Sequence, residues 1–388
     1  MFKVVLWDYT GESEACAKGY LRDDIRIIRT LRPNDPDQAE VIMRGDYDFV
    51  LIFEQGQREF FDEIFKIMQA MNISTKNIIF AKDIYNMLNN PDAVRSLFKP
   101  TTDIYNTIQR NTDFFSHKRW YKYISCSVED LHYVATADDM AIMHNMYVFN
   151  RSFASHAIKK FYEWSKKYYK ANVSGGGIFL DLGANIGTTG LYFLKKFAPD
   201  MKLLAFEPDA ENFKLLRINT ILNDMEDKVT LVNCGLGNKF DEMTMYIETS
   251  NPGYNSVIKF ADRNLTETVK IIPLDAYLAE NKIAASEVKY IWIDTEGFEP
   301  QVLLGAKNLL RENPAPIFME CNLKAWDKSG CFEDMMTLLA ENYSHFILLH
   351  RNGSKTFYPL EALPKLERPN NPFGQIGDIF LIRKGTID

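Results

Sequence analysis

Short apolar runs alternate with segments of helical periodicity over the first quarter of the chain. The apolar runs predict four strands, at residues 4–7, 25–28, 49–53 and 78–80. Apolar positions at helical spacing predict helices between them, at residues 12–22 and 60–71. Strands that alternate with helices are typical of a parallel sheet. We therefore expect a small Rossmann-like α/β domain at residues 1–98. Its first turn carries two acids and one glycine, which favours a structural or dimerising role over dinucleotide binding.

The pattern is less regular at residues 99–150, where aromatic residues are frequent. We interpret this segment as a connector with some helix that could also form part of a substrate lid, because long connections are often functional. Residues 152–170 then predict an amphipathic helix. Its apolar side is expected to consist of Phe153, Ala157, Phe161, Trp164 and Tyr168, with lysines on the other side.

The remainder of the chain, residues 151–388, continues the α/β alternation. Apolar runs predict central strands at 178–182, 203–206, 229–232, 290–293 and 317–320. Helices are expected between them, including 208–223 and 302–310. Segments 243–247 and 269–272 are expected as antiparallel additions, and 346–349 and 379–382 as the last strands of the sheet.

Composition narrows the classes of function. The 388 residues are enough for two domains, and 46% hydrophobic with 25% charged residues is ordinary for a soluble protein. The net charge of −7, without long runs of one sign, disfavours a nucleic-acid partner. Five scattered cysteines without a C-x-x-C pair indicate neither a disulfide framework nor a zinc site. No signal peptide or membrane span is expected, so a cytoplasmic location is predicted.

Candidate chemistry starts at the glycine-rich turn that follows the strand at 178–182. The dinucleotide fingerprint G-x-G-x-x-G does not fit, because Asn185 and Thr188 stand where its second and third glycines would fall. Asp181 precedes the turn. Together with Gly183 and Gly187, it suits a ligand that carries a positive charge and an adenosine group. Glu207 ends the next strand, 20 residues after Gly187, which is about the spacing at which an acid binds ribose hydroxyls.

A set of short motifs in this region resembles the FkbM family of S-adenosylmethionine-dependent methyltransferases. The motifs stand in family order over residues 177–322: F-L-D-L-G-A-N-I-G (179–187), F-E-P (206–208), L-L-R-I-N-T-I-L-N (215–223), I-D-T-E-G-F-E (293–299), L-L-G-A (303–306) and M-E-C-N (319–322). One departure is Trp292, where many members carry lysine.

This resemblance implies a C-terminal Rossmann-like class I methyltransferase domain, with a mostly parallel sheet and antiparallel last strands. It implies S-adenosylmethionine as the cofactor and transfer of a methyl group to an oxygen, often a sugar hydroxyl. The cofactor-binding residues that it implies are Asp181, Gly183, Ala184, Asn185 and Gly187 at the methionine end, Glu207 at the ribose, and Asn233, Cys234 and Gly235 near the adenine.

An alcohol acceptor needs a base within hydrogen-bond reach. Asp294, Glu296, Glu299 and Glu320 lie at or just past strand ends, where α/β sheets place their sites. We assign Glu296 as the catalytic base and Asp294 as the orienting residue, and we expect Glu299 to cap the following helix. The six histidines show no metal-binding spacing, so no metal site is assigned, although a divalent ion held by the carboxylates stays open.

Three functions are weighed. The leading one is O-methylation of a sugar, glycan or related small metabolite by in-line transfer. The alternatives are an NAD-dependent oxidoreductase, which the misfit of the glycine fingerprint disfavours, and a non-catalytic binding or assembly module. The expected partner is a small-molecule or glycan substrate. No nucleic-acid partner is expected, and a homo-oligomer is left open.

Overall fold

A computed structural model of the protein describes residues 2–8, 25–32, 40–41, 44, 46–47, 49–53, 78–80, 110–111, 113–170, 176–248, 251–259, 265–350, 353–368 and 375–386. The chain divides into two compact units. The first consists of Met1–Lys122 and Tyr147–Phe149, and the second of Tyr123–Met146 and Asn150–Asp388. The helices predicted at residues 12–22 and 60–71 lie outside the described residues.

The first unit contains a parallel sheet. Its strands are β1 (Phe2–Asp8), β2 (Ile25–Leu31), β3 (Phe49–Phe53) and β4 (Ile78–Phe80), in the order β2-β1-β3-β4. All three strand pairs are parallel. The four strands predicted from the apolar runs are therefore present, and their parallel pairing is the one expected of a Rossmann-like α/β domain.

The second unit begins with a two-stranded hairpin and contains two further sheets. Its strands are β5 (Tyr123–Val128), β6 (Leu131–Thr136), β7 (Ile178–Leu182), β8 (Lys202–Phe206), β9 (Val229–Val232), β10 (Gly235–Leu236), β11 (Asp241–Tyr246), β12 (Thr266–Ile272), β13 (Val288–Ile293), β14 (Ile317–Asn322), β15 (Tyr343–Leu349), β16 (Lys355–Pro359) and β17 (Gln375–Arg383). Helix α1 (Ile142–Phe149) follows the hairpin, and its last three residues, Tyr147–Phe149, are assigned to the first unit. The later helices are α2 (Ser155–Tyr169), α3 (Gly190–Phe197), α4 (Ala210–Leu222), α5 (Leu274–Glu280), α6 (Glu299–Leu304), α7 (Lys307–Glu312), α8 (Leu323–Ser329) and α9 (Phe332–Asn342).

The main sheet of the second unit has eight strands in the order β16-β15-β17-β14-β13-β7-β8-β9. The five strands β14, β13, β7, β8 and β9 are parallel to one another. Strand β17 is antiparallel to both β14 and β15. The expected mostly parallel sheet with antiparallel last strands is confirmed. Strand order reverses beside β7, since β8 lies on one side and β13 on the other. Such a switch point is where open α/β sheets place their ligands.

An aromatic cluster packs helix α2 against one face of the main sheet. Phe161 is fully buried, and its ring lies 5.6 to 5.8 Å from the rings of Tyr290, Trp292 and Phe318. The helix begins at Ser155 rather than residue 152, and the buried stripe includes Ile158 in place of the predicted Ala157. Phe153 precedes the helix and is 37% exposed, so its predicted place in the stripe is wrong.

Two predicted elements differ in a way that tertiary contacts explain. The helix predicted at 302–310 is split into α6 and α7 at Gly305, where the chain passes close to Gly237. A Cβ at Gly305 would lie 2.0 Å from the Gly237 carbonyl oxygen. The predicted antiparallel additions pair with each other, since β11 and β12 form a separate three-stranded sheet in the order β10-β12-β11.

Among the described residues, none of the helices is both long and apolar enough to cross a membrane.

The core contact of α2 generates a stability prediction. Phe161→Ala is expected to lower the free energy of unfolding by about 3–5 kcal/mol, because it removes a large, fully buried ring. Denaturant unfolding followed by tryptophan fluorescence measures this, since Trp292 lies in the same cluster. Phe153→Ala is the matched control and should change stability little. Equal unfolding midpoints for Phe161→Ala and the wild type would show that this core does not depend on Phe161.

Candidate active site

The glycine-rich turn lies at the carboxyl end of β7, next to the ends of β8 and β13. Gly183 and Ala184 donate their backbone N–H groups to the Phe206 carbonyl, at 3.0 and 2.9 Å. Gly183 has a φ of +95°, and a Cβ at this position would lie 1.9 Å from the Asp294 carbonyl oxygen. The turn can therefore approach the end of β13 only because residue 183 is glycine. Asn185 also has a positive φ, of +49°.

Asp181 lies beneath this turn rather than on its surface. The side chain is fully buried, and Oδ2 accepts a 2.9 Å hydrogen bond from the N–H of Gly190 at the start of α3. Oδ1 has no hydrogen-bond partner in the part of the chain that the structure describes. A Cβ at Gly190 would lie 2.7 Å from Oδ2. In this geometry Asp181 joins β7 to the first turn of α3, where the helix dipole favours a negative charge.

Glu207 connects the end of β8 with the glycine-rich turn. Its Oε2 accepts from the N–H of Asn185 at 2.7 Å, and its Oε1 accepts from the N–H of Asp209 at 2.9 Å. A carboxylate offers about four acceptor positions. Backbone N–H groups occupy two of these positions. The remaining two or so would be enough to accept hydrogen bonds from two vicinal hydroxyls. The spacing of 20 residues that singled out Glu207 thus corresponds to a direct contact with the turn.

The third predicted group, Asn233, Cys234 and Gly235, adjoins the same edge. The Asn233 side-chain amide donates to the carbonyls of Glu207 and Pro208, at 2.9 and 3.2 Å. A Cβ at Gly235 would lie 3.6 Å from Cβ of Pro208. Cys234 is buried. The ends of β7, β8 and β9 thus bring Gly183, Ala184, Asn185, Glu207 and Asn233 together at one edge of the sheet. Asp181 is buried beneath this edge, and Gly187 packs against Leu191 and Leu216.

The turn after β13 is held by a buried carboxylate. Glu299 is fully buried, and its Oε1 accepts from the N–H and Oγ1 of Thr295 and from the N–H of Gly297. Its Oε2 accepts from Nε1 of Trp326 at 2.6 Å. Helix α6 begins at Glu299 itself. The side chain therefore organises the preceding turn. The predicted cap of the following helix is wrong, because Phe298 occupies the cap position and its side chain makes no capping hydrogen bond.

Three other carboxylates converge at this point of the sheet edge. Asp294, Glu296 and Glu320 each offer one oxygen, and these three oxygens lie within 4.8 Å of one another. The Asp294 N–H donates to the Leu182 carbonyl at 2.9 Å, which places the cluster directly beside the glycine-rich turn. Glu296 has a φ of +51°, a conformation that non-glycine residues rarely adopt and that often marks functional sites.

Comparison with known proteins identifies the family of this chain. The model of the methyltransferase FkbM domain matches residues 181–346. The methyltransferase sdnD of Sordaria araneosa is 32% identical over 201 residues, which cover 45% of this chain and 76% of that protein. The chain belongs to the FkbM methyltransferase family. The expectation of an S-adenosylmethionine-dependent methyltransferase is confirmed, and the oxidoreductase and non-catalytic alternatives are not supported.

The chain also matches the solved structures of two methyltransferases at low sequence identity. Methyltransferase FkbM from Methylobacillus flagellatus KT is 12% identical, with a TM-score of 0.36, and the match covers 98% of this chain and 90% of that one. TYW2 from M. jannaschii, solved in complex with AdoMet, is 9% identical with a TM-score of 0.32, covering 68% and 87% of the two chains. At these values no residue role is transferred from either structure.

Burial and mutual repulsion raise the pKa values of the acids in this FkbM-family site. Loss of hydration raises the pKa of Asp181 to about 7 and that of Glu207 to about 8, with Asp209 adding to the second shift. Burial is also the largest cause that raises the pKa of Glu320, followed by repulsion from Glu296 and Asp294.

Asp294 is exposed to solvent at the site, whereas Glu320 is only 5% exposed. The pKa of Asp294 is nevertheless raised. Desolvation by the surrounding protein is the largest cause, followed by charge repulsion from Asp378, Glu299 and Asp181. Because solvent reaches Asp294, the repulsion from these neighbouring acids is the cause on which the upward direction rests.

The FkbM-family motifs did not reveal one segment at the site. Residues 251–256 connect β11 with β12 and lie beside both the glycine-rich turn and the acid turn. A Cβ at Gly253 would lie 3.4 Å from Nδ2 of Asn185, and Ser256 Oγ donates to the Glu296 carbonyl at 2.9 Å. Asn255 donates to Oδ2 of Asp209 at 3.2 Å. The N-P-G-Y-N-S composition of this segment predicts a turn, but only the fold brings that turn to the site.

Trp292, the position where many family members carry lysine, lies in the core and not in the candidate site. Trp292 is 5% exposed and stacks on Phe318 at 4.4 Å within the aromatic core under α2. The substitution of lysine by tryptophan is therefore a packing feature of this chain.

The raised pKa of Asp181 predicts a pH-dependent effect of Asp181→Asn. The carboxyl titrates near 3.8 when unfolded and near 7 when folded, so between these values the folded state binds more protons and its stability falls as pH rises. The variant removes this loss. Its stability relative to the wild type should increase by up to about 1.4 kcal/mol per pH unit between pH about 4 and about 7.

Denaturant unfolding at several pH values measures this difference. The asparagine amide adds an offset that does not depend on pH, so the slope is the informative quantity. Asp200→Asn, at an exposed turn, should follow the wild-type pH profile. A constant difference between Asp181→Asn and the wild type from pH 5 to pH 8 would refute the raised pKa.

Proposed function

We propose that this FkbM-family protein transfers a methyl group from S-adenosylmethionine to a hydroxyl of a sugar, glycan or related small metabolite. The observation that carries the proposal is the carboxylate cluster of Asp294, Glu296 and Glu320 beside the glycine-rich turn. An alcohol must lose its proton as the new bond forms, and a carboxylate at hydrogen-bond distance is a suitable acceptor. The remaining expectations, namely a cytoplasmic location, the absence of a nucleic-acid partner and a homo-oligomer, stay predictions.

The cofactor-binding residues are proposed from their place at the sheet edge. Glu207 would hold the ribose with its two remaining acceptor positions, while Gly183, Ala184, Asn185 and Gly187 shape the turn beside it. Asn233, Cys234 and Gly235 would border the adenine. When bound, S-adenosylmethionine supplies the activated methyl group on a sulfonium ion. The buried acids along this edge suit a cationic ligand, and Asp181 contributes by holding α3 against β7.

Glu296 is proposed as the base and Asp294 as the residue that orients the acceptor. Two features support a fixed geometry for this pair. Glu299 accepts four hydrogen bonds, three of them from Thr295 and Gly297 on either side of Glu296. The Asp294 backbone is bonded to β7. Positioning supplies much of the rate enhancement in such in-line reactions, so a rigid acid turn favours catalysis.

Ligand choice gives the first functional prediction. Titration calorimetry on the full chain should show saturable binding of S-adenosylhomocysteine and no comparable binding of NAD. Glu207→Gln should weaken S-adenosylhomocysteine binding by roughly 10–100-fold, since loss of a charge-assisted hydrogen bond costs about 1.5–3 kcal/mol. Glu312→Gln, at an exposed position far along the chain from Glu207, is the control. Unchanged affinity in a folded Glu207→Gln variant would assign this acid another role.

The base assignment gives the second functional prediction. Glu296→Gln keeps the shape of the side chain but loses its basic oxygen, so methyl transfer at saturating cofactor should slow by about 10²–10⁴-fold. Affinity for S-adenosylhomocysteine should stay at the wild-type level. Transfer of labelled methyl groups to a panel of sugar and polyol acceptors identifies the substrate and then measures the rate. Wild-type turnover by Glu296→Gln would place the base elsewhere.

A further inference from the structure

The oxygens of the acid cluster are close enough together for one metal ion to reach all three. Asp294 and Glu296 extend from the turn after β13, and Glu320 lies in the adjacent strand β14. Their three carboxylate oxygens lie within 4.8 Å of one another. Oxygens on opposite sides of Ca²⁺ are about 4.6–5.2 Å apart, and those around Mg²⁺ about 4.2 Å at most. The three side chains thus need little movement to share one ion.

Glu320 provides a second, independent observation that points to ligand binding. The side chain is only 5% exposed, and its Oε2 has no hydrogen-bond partner among the described residues. A buried carboxylate oxygen without a partner is costly, and native structures normally satisfy such atoms with a donor or a metal ion. Glu299, the neighbouring buried acid, differs in this respect because four hydrogen bonds satisfy it. At Oε2, Glu320 lacks the hydrogen bonds that account for the burial of Glu299.

The charges around Glu320 also favour a cation. Asp378 stands directly opposite Glu320 in the antiparallel pair of β14 and β17. The strongest electrostatic influences on Glu320 come from Glu296, Asp294, Glu299 and Asp378, and all of them are repulsive. Asp294 is exposed, so an ion can reach the cluster from solvent. Water or a further ligand can occupy the remaining coordination positions of that ion.

We propose that Asp294, Glu296 and Glu320 bind a hard divalent cation, Mg²⁺, Mn²⁺ or Ca²⁺, with Asp378 adding negative charge beside the site. Oxygen ligands from three carboxylates match the preference of these ions and disfavour soft metals. Asp294 and Glu296 come from one turn and Glu320 from the next strand, so the ion would join two elements that the backbone hydrogen bonds of the sheet hold at a fixed distance.

The catalytic consequence rests on the proposed function. A cation at this place would bind the acceptor hydroxyl and lower its pKa, which eases removal of the proton. Each carboxylate uses one oxygen for the ion, so the second oxygen of Glu296 remains available to take that proton. The methyl donor would bind separately along the glycine-rich turn. Cation binding and cofactor binding can therefore be measured independently.

The test uses the full chain after treatment with EDTA and dialysis. Calorimetry with MgCl₂, MnCl₂ and CaCl₂, and Mn²⁺ electron paramagnetic resonance, should show saturable binding at one site, whereas NaCl of equal ionic strength should give none. Glu320→Gln and Asp294→Asn should each weaken the binding by at least about tenfold, since even outer residues of metal sites cost about 10–100-fold. Glu312→Gln should bind like the wild type.

Thermal unfolding separates ligation from a structural role. Without metal, Glu320→Gln should be as stable as the wild type or more stable, because it removes a repelled buried charge, and added cation should raise only the wild-type melting temperature. Asp294 is exposed, so Asp294→Asn keeps the test valid if Glu320→Gln does not fold. The proposal is overturned if the wild type shows no saturable cation binding, or if both variants bind like the wild type. Intact S-adenosylhomocysteine binding in that case would leave the methyltransferase proposal standing.

Discussion

The close approach of Gly183 to Asp294 is the constraint on which the site depends. The backbone of β7 turns directly against the backbone at the end of β13, at a separation that excludes even a Cβ atom. The hydrogen bond from the Asp294 N–H to the Leu182 carbonyl fixes the two chains in register. This one contact brings the turn that carries the predicted cofactor-binding residues next to the turn that carries the acids. Under the proposed function, the methyl donor and the acceptor would meet where these two turns meet.

The second theme is the accumulation of acids in places where water is scarce. Asp181, Glu207, Glu299 and Glu320 are all buried, and a buried charge destabilises the fold unless it is compensated. Three of them receive backbone hydrogen bonds that hold neighbouring elements together, namely α3, the glycine-rich turn and the acid turn. Glu320 lacks such a bond at Oε2. Asp181 also keeps one oxygen, Oδ1, without a partner among the described residues, but only Glu320 lies beside Asp294 and Glu296. Glu320 is therefore the buried acid best placed for contact with a ligand.

Local motifs predicted the parts of this site that depend on short stretches of chain. The glycine-rich turn, Glu207 and the acids after β13 each follow a strand directly, so a strand pattern and a few residues beyond it were enough to find them. The contact of Glu207 with Asn185 follows from the parallel pairing of β7 and β8. The helix predicted at 302–310 is broken at Gly305, where the chain packs against Gly237. Gly237 is distant in the sequence, and no local pattern connects it to Gly305.

The same distinction explains why the surroundings of Glu320 were not predictable. Its strand position was visible in the sequence, but the repulsion from Asp378 arises only when β17 inserts between β14 and β15. Residues 251–256 likewise reach Asn185 and Glu296 through the pairing of β11 with β12. Antiparallel additions thus bring distant polar groups to a site whose centre is built from parallel strands. In the proposed site the parallel strands would position the chemistry, and the later elements would determine the charge and the shape that an acceptor meets.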